Sequence, residues 1–334
     1  MTNFTEIPFD NIVKFGQQTM MDEGIFSISW ILGRFCNYKC SYCWPYANTQ
    51  IPDHQELEVY IKTMDNIRMQ ANENGYAKFH WSFSGGEPTA YKHFLTLAEK
   101  VLHDSIHMTT NLSPGIQWWE RWLKATASSR RRSITASFHH EFANEQEFGD
   151  KILFLNQNNV FVTVNQVMVP EQFQQLYDRC KRLADRGINV TLKPQSDPTA
   201  SKIVDGYSED MIQLMRTGFP QHIQEKELLQ IKLIDNSNTV WYLDQAERFN
   251  SFGFNKFKGW MCNSGYQGIV IRENEVKRSY SCHDPILGTL TNGFKLFDKP
   301  TICTTPSCVS SADSKIPKEK NELQTKLQSP NIKI

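Results

Sequence analysis

The chain has 334 residues, 40% of them hydrophobic and 22% charged, the composition of an ordinary globular protein of barrel size with room for a smaller second domain. Its 36 Lys and Arg balance 36 Asp and Glu, so it lacks the basic surface that would hold nucleic acid, and the one basic run, Arg130-Arg131-Arg132, reads as a solvated loop ahead of a strand. No apolar stretch reaches the roughly 20 residues needed to cross a bilayer, and the opening MTNFTEIPFD lacks a signal pattern, so the expectation is a cytoplasmic protein without a membrane partner.

From residue 26 the chain alternates strand and helix patterns. Strands are predicted over 26–32, 78–84, 106–110, 133–139, 160–169 and 188–195. The first intervening helix starts from Asp53 as N-cap with Glu56 three residues on, carries apolar positions Leu57, Tyr60, Ile61, Met64 and Ile67, and stops at Gly75. Another opens after Pro170 and ends before Gly187. It carries Cys180 on an apolar face and assigns that cysteine to the core.

Six such repeats predict a parallel sheet with right-handed crossovers. Six strands are too few to close an eight-stranded barrel, so the expected fold is α/β, a partial (β/α)6 TIM-like barrel. Period-two alternation gives each strand one apolar and one polar face: Ile134 and Ala136 against Ser133, Thr135 and Ser137; Val162 and Val164 against Thr163 and Asn165; Val190 and Leu192 against Thr191 and Lys193. Polar inner faces predict a cavity for a polar ligand, or else a face open to solvent.

Beyond residue 200 helices are predicted near 209–216 and 221–230. A hairpin is expected from 268–272 and 276–281 around Glu273-Asn274-Glu275, and the Lys-, Gln- and Asn-rich end reads as a flexible tail. The expected domains are 1–235, a cysteine-rich β-hairpin domain over 236–315, and the tail 316–334.

Seven of the eight cysteines fall into two groups. Cys36, Cys40 and Cys43 share one short loop after the first strand, where three thiolates would hold three corners of a four-iron cluster and leave one iron open. A zinc site, a disulfide or buried apolar thiols are the other readings of that spacing. Cys262, Cys282, Cys303 and Cys308 supply four further thiolates, enough for a second cluster or a structural zinc ion. In a reducing compartment metal ligation is favoured over disulfides. The second strand ends in Gly85-Gly86-Glu87-Pro88, paired glycines that let backbone approach closely and a carboxylate able to accept from an amino group.

Over residues 24–200 the chain resembles the radical S-adenosylmethionine (radical SAM) superfamily, through Cys-x3-Cys-x2-Cys at Cys36, Cys40 and Cys43 and Gly-Gly-Glu at 85–87. The resemblance implies a [4Fe-4S] cluster whose open iron takes S-adenosyl-L-methionine. It further implies reductive cleavage to a 5′-deoxyadenosyl radical and abstraction of a substrate hydrogen atom. It assigns Gly85, Gly86 and Glu87 to the methionine amino group and Tyr42 to the adenine, with Asn111, Ser137 and Asn165 as further cofactor contacts. The C-terminal cysteines look like the short "twitch" extension, smaller than its SPASM relative, with one auxiliary [4Fe-4S] cluster as an electron outlet. That suits a radical SAM oxidoreductase acting on a small polar metabolite of sugar or cyclitol type, reduced by a donor of flavodoxin or ferredoxin type. His139 and Lys193 are candidate bases for the substrate proton. A peptide-modifying maturase is the alternative, and an iron–sulfur electron carrier or zinc-stabilised binding protein the contrasting class.

Overall fold

The computed structural model describes residues 7–43, 49–197, 202–221, 231–243 and 253–320. In chain order the larger elements are β1 (Ile12–Gln17), α1 (Gln18–Glu23), β2 (Ile25–Ile31), α2 (Leu57–Glu73), β3 (Lys78–Ser84), α3 (Phe94–Glu99) and β4 (Ser105–Thr110). Next come α4 (Ile116–Ala125), β5 (Arg131–Ser137), α5 (Glu145–Gln157), β6 (Phe161–Met168), α6 (Phe173–Asp185), β7 (Asn189–Pro194) and α7 (Glu209–Thr217). Short strands follow: β8 (Ile231–Asp235), β9 (Val240–Leu243), β10 (Met261–Cys262), β11 (Gly268–Arg272), β12 (Glu275–Lys277), β13 (Ile286–Thr289), β14 (Gly293–Phe294), β15 (Thr301–Ile302) and β16 (Lys318–Glu319). Among the described residues no helix is long and apolar enough to cross a membrane.

The chain divides into two units, residues 30–57 with 81–224, and residues 1–29 with 58–80 and 225–334, where composition suggests a single cut near residue 235. Strands β2 to β7 lie side by side in sequence order, each followed by helix, and form a partial (β/α)6 barrel. The apolar alternation drives this arrangement. Ile134, Ala136, Val162, Val164, Val190 and Leu192 are all buried, as are Phe148, Ile152 and Leu155 of α5 and Leu176, Cys180 and Leu183 of α6, which pack over those strands. Each such aliphatic or aromatic side chain contributes about 1.5–3 kcal/mol.

The opposite face carries polar rows set by parallel register. Thr109, Thr135, Thr163 and Asn189 are successive partners across β4 to β7. Ser137, Asn165 and Thr191 form the next row towards the strand ends, where active sites of such folds lie. His107 is pinned between Ser133 Oγ at 2.9 Å and Thr135 Oγ1 at 3.2 Å. The polar face therefore carries its own hydrogen-bond network and is only part-exposed.

In the other unit, one six-stranded sheet has the order β15-β10-β16-β1-β8-β9. Its core gathers Ile12, Phe15, Ile231, Leu233, Leu243 and Phe257 around Cys262, Cys303 and Cys308. The ladder β11-β12-β13-β14 joins β2 through β11 and so extends the ten-stranded sheet. Its first hairpin is the expected one, but the turn is two residues, Glu273-Asn274, with Glu273 at φ 56°, and Glu275 already pairs with Arg272.

Two other expectations are corrected. The first helix begins at Leu57, so Asp53 is not its cap. Residues 318–319, which the sequence places in a flexible tail, form β16 between β1 and β10. Of the helix expected over 221–230, all but Gln221 lies outside the described residues, as does the chain beyond residue 320.

Candidate active site

The cysteine loop hangs from the end of β2 and is tied down at its root. Asp53 accepts backbone N–H bonds from Arg34 at 2.8 and 2.9 Å and from Phe35 at 3.0 Å. Cys36 N donates to Thr49 O at 3.1 Å, and Cys43 N to Cys40 O at 3.2 Å, which curls the loop. All three thiols are half-buried. Burial pushes Cys36 up to about 11 and Cys40 up to about 12, and the charge of Cys43 raises both further. A bound cationic iron centre reverses this balance, since metal binding displaces the thiol protons.

The Gly-Gly-Glu segment packs directly on that root. Gly86 N donates to Gly33 O at 2.9 Å and Glu87 N to Phe35 O at 2.8 Å. A Cβ on Gly86 would meet Phe35 O at 2.2 Å and Arg34 O at 2.3 Å, so only glycine lets the two backbones touch. Gly85 sits at φ 139° with its Cβ position 2.3 Å from Gly33 O. The glycines thus admit the loop's own backbone, where the sequence suggests a ligand.

Glu87 also departs from expectation. Its carboxylate is buried and accepts from Thr89 N at 3.0 Å, Thr89 Oγ1 at 2.7 Å, Thr110 Oγ1 at 2.7 Å and Asn111 N at 2.6 Å. Burial raises its pKa, and those donors oppose the rise. With four partners the carboxylate is an internal brace joining the ends of β3 and β4. Three of these bonds fall on Oε1 and one on Oε2.

Tyr38 N donates to the Cys36 sulfur at 3.4 Å, and Asn111, held by that brace, donates from Nδ2 to Asn37 Oδ1 at 2.9 Å. Asn37 in turn donates to Ser113 Oγ at 2.8 Å. The end of β4 is therefore stitched to the cysteine loop.

A second brace comes from the turn after β5. His139 Nδ1 lies 3.2 Å from Cys40 Sγ and 3.0 Å from Tyr42 OH. Glu141 accepts from Ser41 N at 2.9 Å and from Ser41 Oγ. Tyr38 stacks on Phe142 at 4.8 Å and Tyr42 on His140 at 5.1 Å. Burial drives His139 down to about 4, so it is neutral at ordinary pH. Its Nδ1 is engaged by the cysteine loop, which makes it a support of that loop where the sequence suggests a base for the substrate. Tyr42 is turned towards His139 and His140.

Ser137 and Asn165 share a row on the polar face, and Asn165 O accepts from Phe138 N at 3.0 Å. Lys193 lies further along, opposite Val167 in β7. The structure thus brings Cys36, Cys40, Cys43, Tyr42, Gly86, Asn111 and His139 together around one loop. Ser137, Asn165 and Lys193 belong to the sheet face. Asp53, Asn37 and Glu141 are supports that the sequence alone does not single out.

The C-terminal cysteines gather by tertiary contact. Cys303 N donates to Trp260 O at 2.8 Å and Cys308 N to Asn255 O at 2.8 Å, which fixes both beside Cys262 in one buried cluster. Cys282, partly exposed, is near enough for its charge to raise Cys303. Burial pushes Cys308 up to about 12. Among the described residues no group of three or more His, Cys, Asp or Glu side chains closes around a single-ion position. A four-iron cluster takes one thiolate per corner and does not require the sulfurs to meet at one point. Both thiol sets fit such a group by donor chemistry.

Residues 30–194 match the family described as the Radical SAM superfamily. Among solved structures, native anSMEcpe with bound AdoMet is similar at TM-score 0.52 and 16% identity, over 81% of this chain and 79% of that one. Native anSMEcpe with bound AdoMet and Kp18Cys peptide gives TM-score 0.51 and 16% identity, over 81% and 78%. The form with Cp18Cys peptide gives 0.50 and 15%, over 81% and 78%. At these identities the likeness is one of fold. No curated protein matches the sequence.

Proposed function

We propose, from the premise that this chain carries a radical SAM domain over residues 30–194, that it uses AdoMet at the Cys36–Cys43 loop to remove a hydrogen atom from a polar substrate. The observation that carries the reading is one loop that bears three half-buried thiols, its root tied down by Gly86, Glu87 and Asp53. When bound, a [4Fe-4S] cluster and AdoMet supply a 5′-deoxyadenosyl radical by one-electron cleavage of the sulfonium.

The chain's own work is placement and shielding. Cys36, Cys40 and Cys43 would be the three ligands, and Tyr38 N directs a hydrogen bond at the first of them. The Gly86–Gly33 and Glu87–Phe35 backbone bonds hold the loop against the strand ends. The Tyr38–Phe142 stack lays a second ring against the loop. The rows Thr109-Thr135-Thr163 and Ser137-Asn165-Thr191 offer hydroxyl and amide groups to a substrate rich in hydrogen-bonding groups. That supports a metabolite of sugar or cyclitol type. Lys193, on the same face, is the candidate to take a substrate proton. Cys262, Cys282, Cys303 and Cys308 would hold an auxiliary [4Fe-4S] cluster that accepts the electron left after hydrogen abstraction, which suits oxidation.

A second reading, peptide modification, draws support from the peptides bound in two structures of similar fold. Both share one test. Anaerobically reconstituted protein with dithionite and AdoMet should release 5′-deoxyadenosine, and deuterium from a labelled substrate should appear in it. Polyol-supported transfer favours the metabolite, and peptide-supported transfer the maturase. Protein holding its iron but releasing no 5′-deoxyadenosine would instead be an electron carrier.

A further inference from the structure

Lys318 is a buried cation inside the C-terminal sheet, 3% exposed. Its Nζ donates to three backbone carbonyls, Asp313 O at 2.8 Å, Ile316 O at 2.7 Å and Ser314 O at 3.5 Å. It lies 4.7 Å from the Phe257 ring centroid and 5.8 Å from that of Phe15. The carboxylate of Asp313, itself buried and near enough for the Lys318 charge to act on it, accepts from Tyr280 N at 3.1 Å, Ser281 N at 2.8 Å and Ser281 Oγ at 2.6 Å. Burying an ammonium ion among carbonyls and aromatic rings is unfavourable unless negative charge is near.

Besides Asp313, the sheet sets thiols beside this cation. Across the antiparallel pair β10–β16, Lys318 is the direct partner of Cys262, and across β1–β16 it is the partner of Phe15. Directly opposed residues project to the same face of a sheet. Phe15, Phe257, Cys262, Cys303 and Cys308 belong to one buried cluster, and the Lys318 ammonium lies against two of its rings, Phe15 and Phe257.

We propose that Lys318 is the fixed countercharge of the Cys262/Cys282/Cys303/Cys308 set and raises the reduction potential of the cluster bound there. It is a positioning residue that touches neither substrate nor AdoMet. The proposal rests on the reading that these four thiolates hold an iron–sulfur cluster. Reduction adds one electron from the external reductant, or from the substrate radical, to the cluster core and moves no proton. The cluster's total charge becomes one unit more negative, so a cation held in low-dielectric surroundings stabilises the reduced form more than the oxidised one. Solvent-exposed lysines would be screened from such a role, whereas this one is enclosed.

The test uses full-length protein with C36A/C40A/C43A, so that iron bound there belongs to the second set alone. Iron and zinc are counted, then an EPR-monitored redox titration is run for this parent and for K318Q, K318M and K318R. Lys318→Gln keeps donors for the carbonyls without the charge, and serves where K318M does not fold. The expected result is about four irons per chain in each, with the reduced fraction at fixed potential about tenfold lower in K318Q, a shift of about 59 mV for one electron. K318R should stay near the parent. A parent that binds zinc or no iron removes the cluster reading, and this proposal with it. A parent with full iron and an unchanged potential in K318Q overturns the proposal while leaving the cluster reading in place.

Discussion

The two cysteine sets are built by opposite means. Cys36, Cys40 and Cys43 lie within eight residues on a loop, half-buried, and their order comes from contacts made to the loop: Asp53 at its root, His139 at the Cys40 sulfur. Cys262, Cys303 and Cys308 are drawn from separate segments into a β-sheet core and are buried among Phe15, Phe257 and Leu233. The second set of four has three buried members and a partly exposed Cys282. The difference teaches that the same side chain can stand in opposite surroundings: polar hydrogen-bonding supports around the loop, and an apolar core with the buried Lys318 beside it in the sheet.

The sharpest way to break the comparison is to empty one set at a time. Replacing Cys36, Cys40 and Cys43 by Ala should remove about four of about eight irons and abolish 5′-deoxyadenosine release, assayed by chromatography after dithionite reduction. Cys303→Ala should remove a similar amount of iron yet leave AdoMet cleavage within about tenfold of wild type, while substrate oxidation is lost. If C303A also abolished cleavage, the two sets would not be separable in function.

Smaller effects probe the supports. Asp53→Ala strands the Arg34 and Phe35 amides, and each unsatisfied buried donor costs about 1–3 kcal/mol. A weakened loop should appear as lower iron retention on gel filtration with the second cluster's spectrum unchanged. The smallest effect concerns the sheet. Asp235 accepts from Ser237 Oγ and N, Thr239 N and Trp241 Nε1, and these bonds hold its carboxyl down to about 2 from an ordinary value of 3.8. A depressed folded-state value gives stability that is present above pH 3.8 and lost as the pH falls towards 2. Asp235→Asn should therefore be less stable than wild type at neutral pH, with the gap in thermal midpoint narrowing between pH 4 and pH 2.

Local signals in the sequence proved readable because their physics is local. The Cys-x3-Cys-x2-Cys spacing, the Gly-Gly-Glu segment and the apolar alternation of the strands each act over a few residues, and six parallel strands could be placed to within about two residues. Asp53 misled because Asp-x-x-Glu ahead of an apolar stripe resembles a cap, whereas its oxygens serve amides at residues 34 and 35. Glu87 was legible as a carboxylate at a strand end, but its partners Thr110 and Asn111 lie at the end of the next strand, and only tertiary structure shows that they bond it. Lys318 was hidden by composition. A Lys-rich tail reads as solvated, and nothing near residue 318 announces a pairing with β1 at Phe15. The C-terminal cysteines were visible as a group, while the burial of Cys262, Cys303 and Cys308 in one core was not.

The central claim is that AdoMet binds at the loop set and not at the sheet set. EPR of dithionite-reduced protein, with and without AdoMet, tests it most directly, recorded for wild type and for C36A/C40A/C43A. The account predicts that AdoMet changes the wild-type spectrum and leaves the spectrum of the loop variant, with its remaining cluster of about four irons, untouched. An AdoMet-induced change in the loop variant, or none in iron-replete wild type, would contradict it.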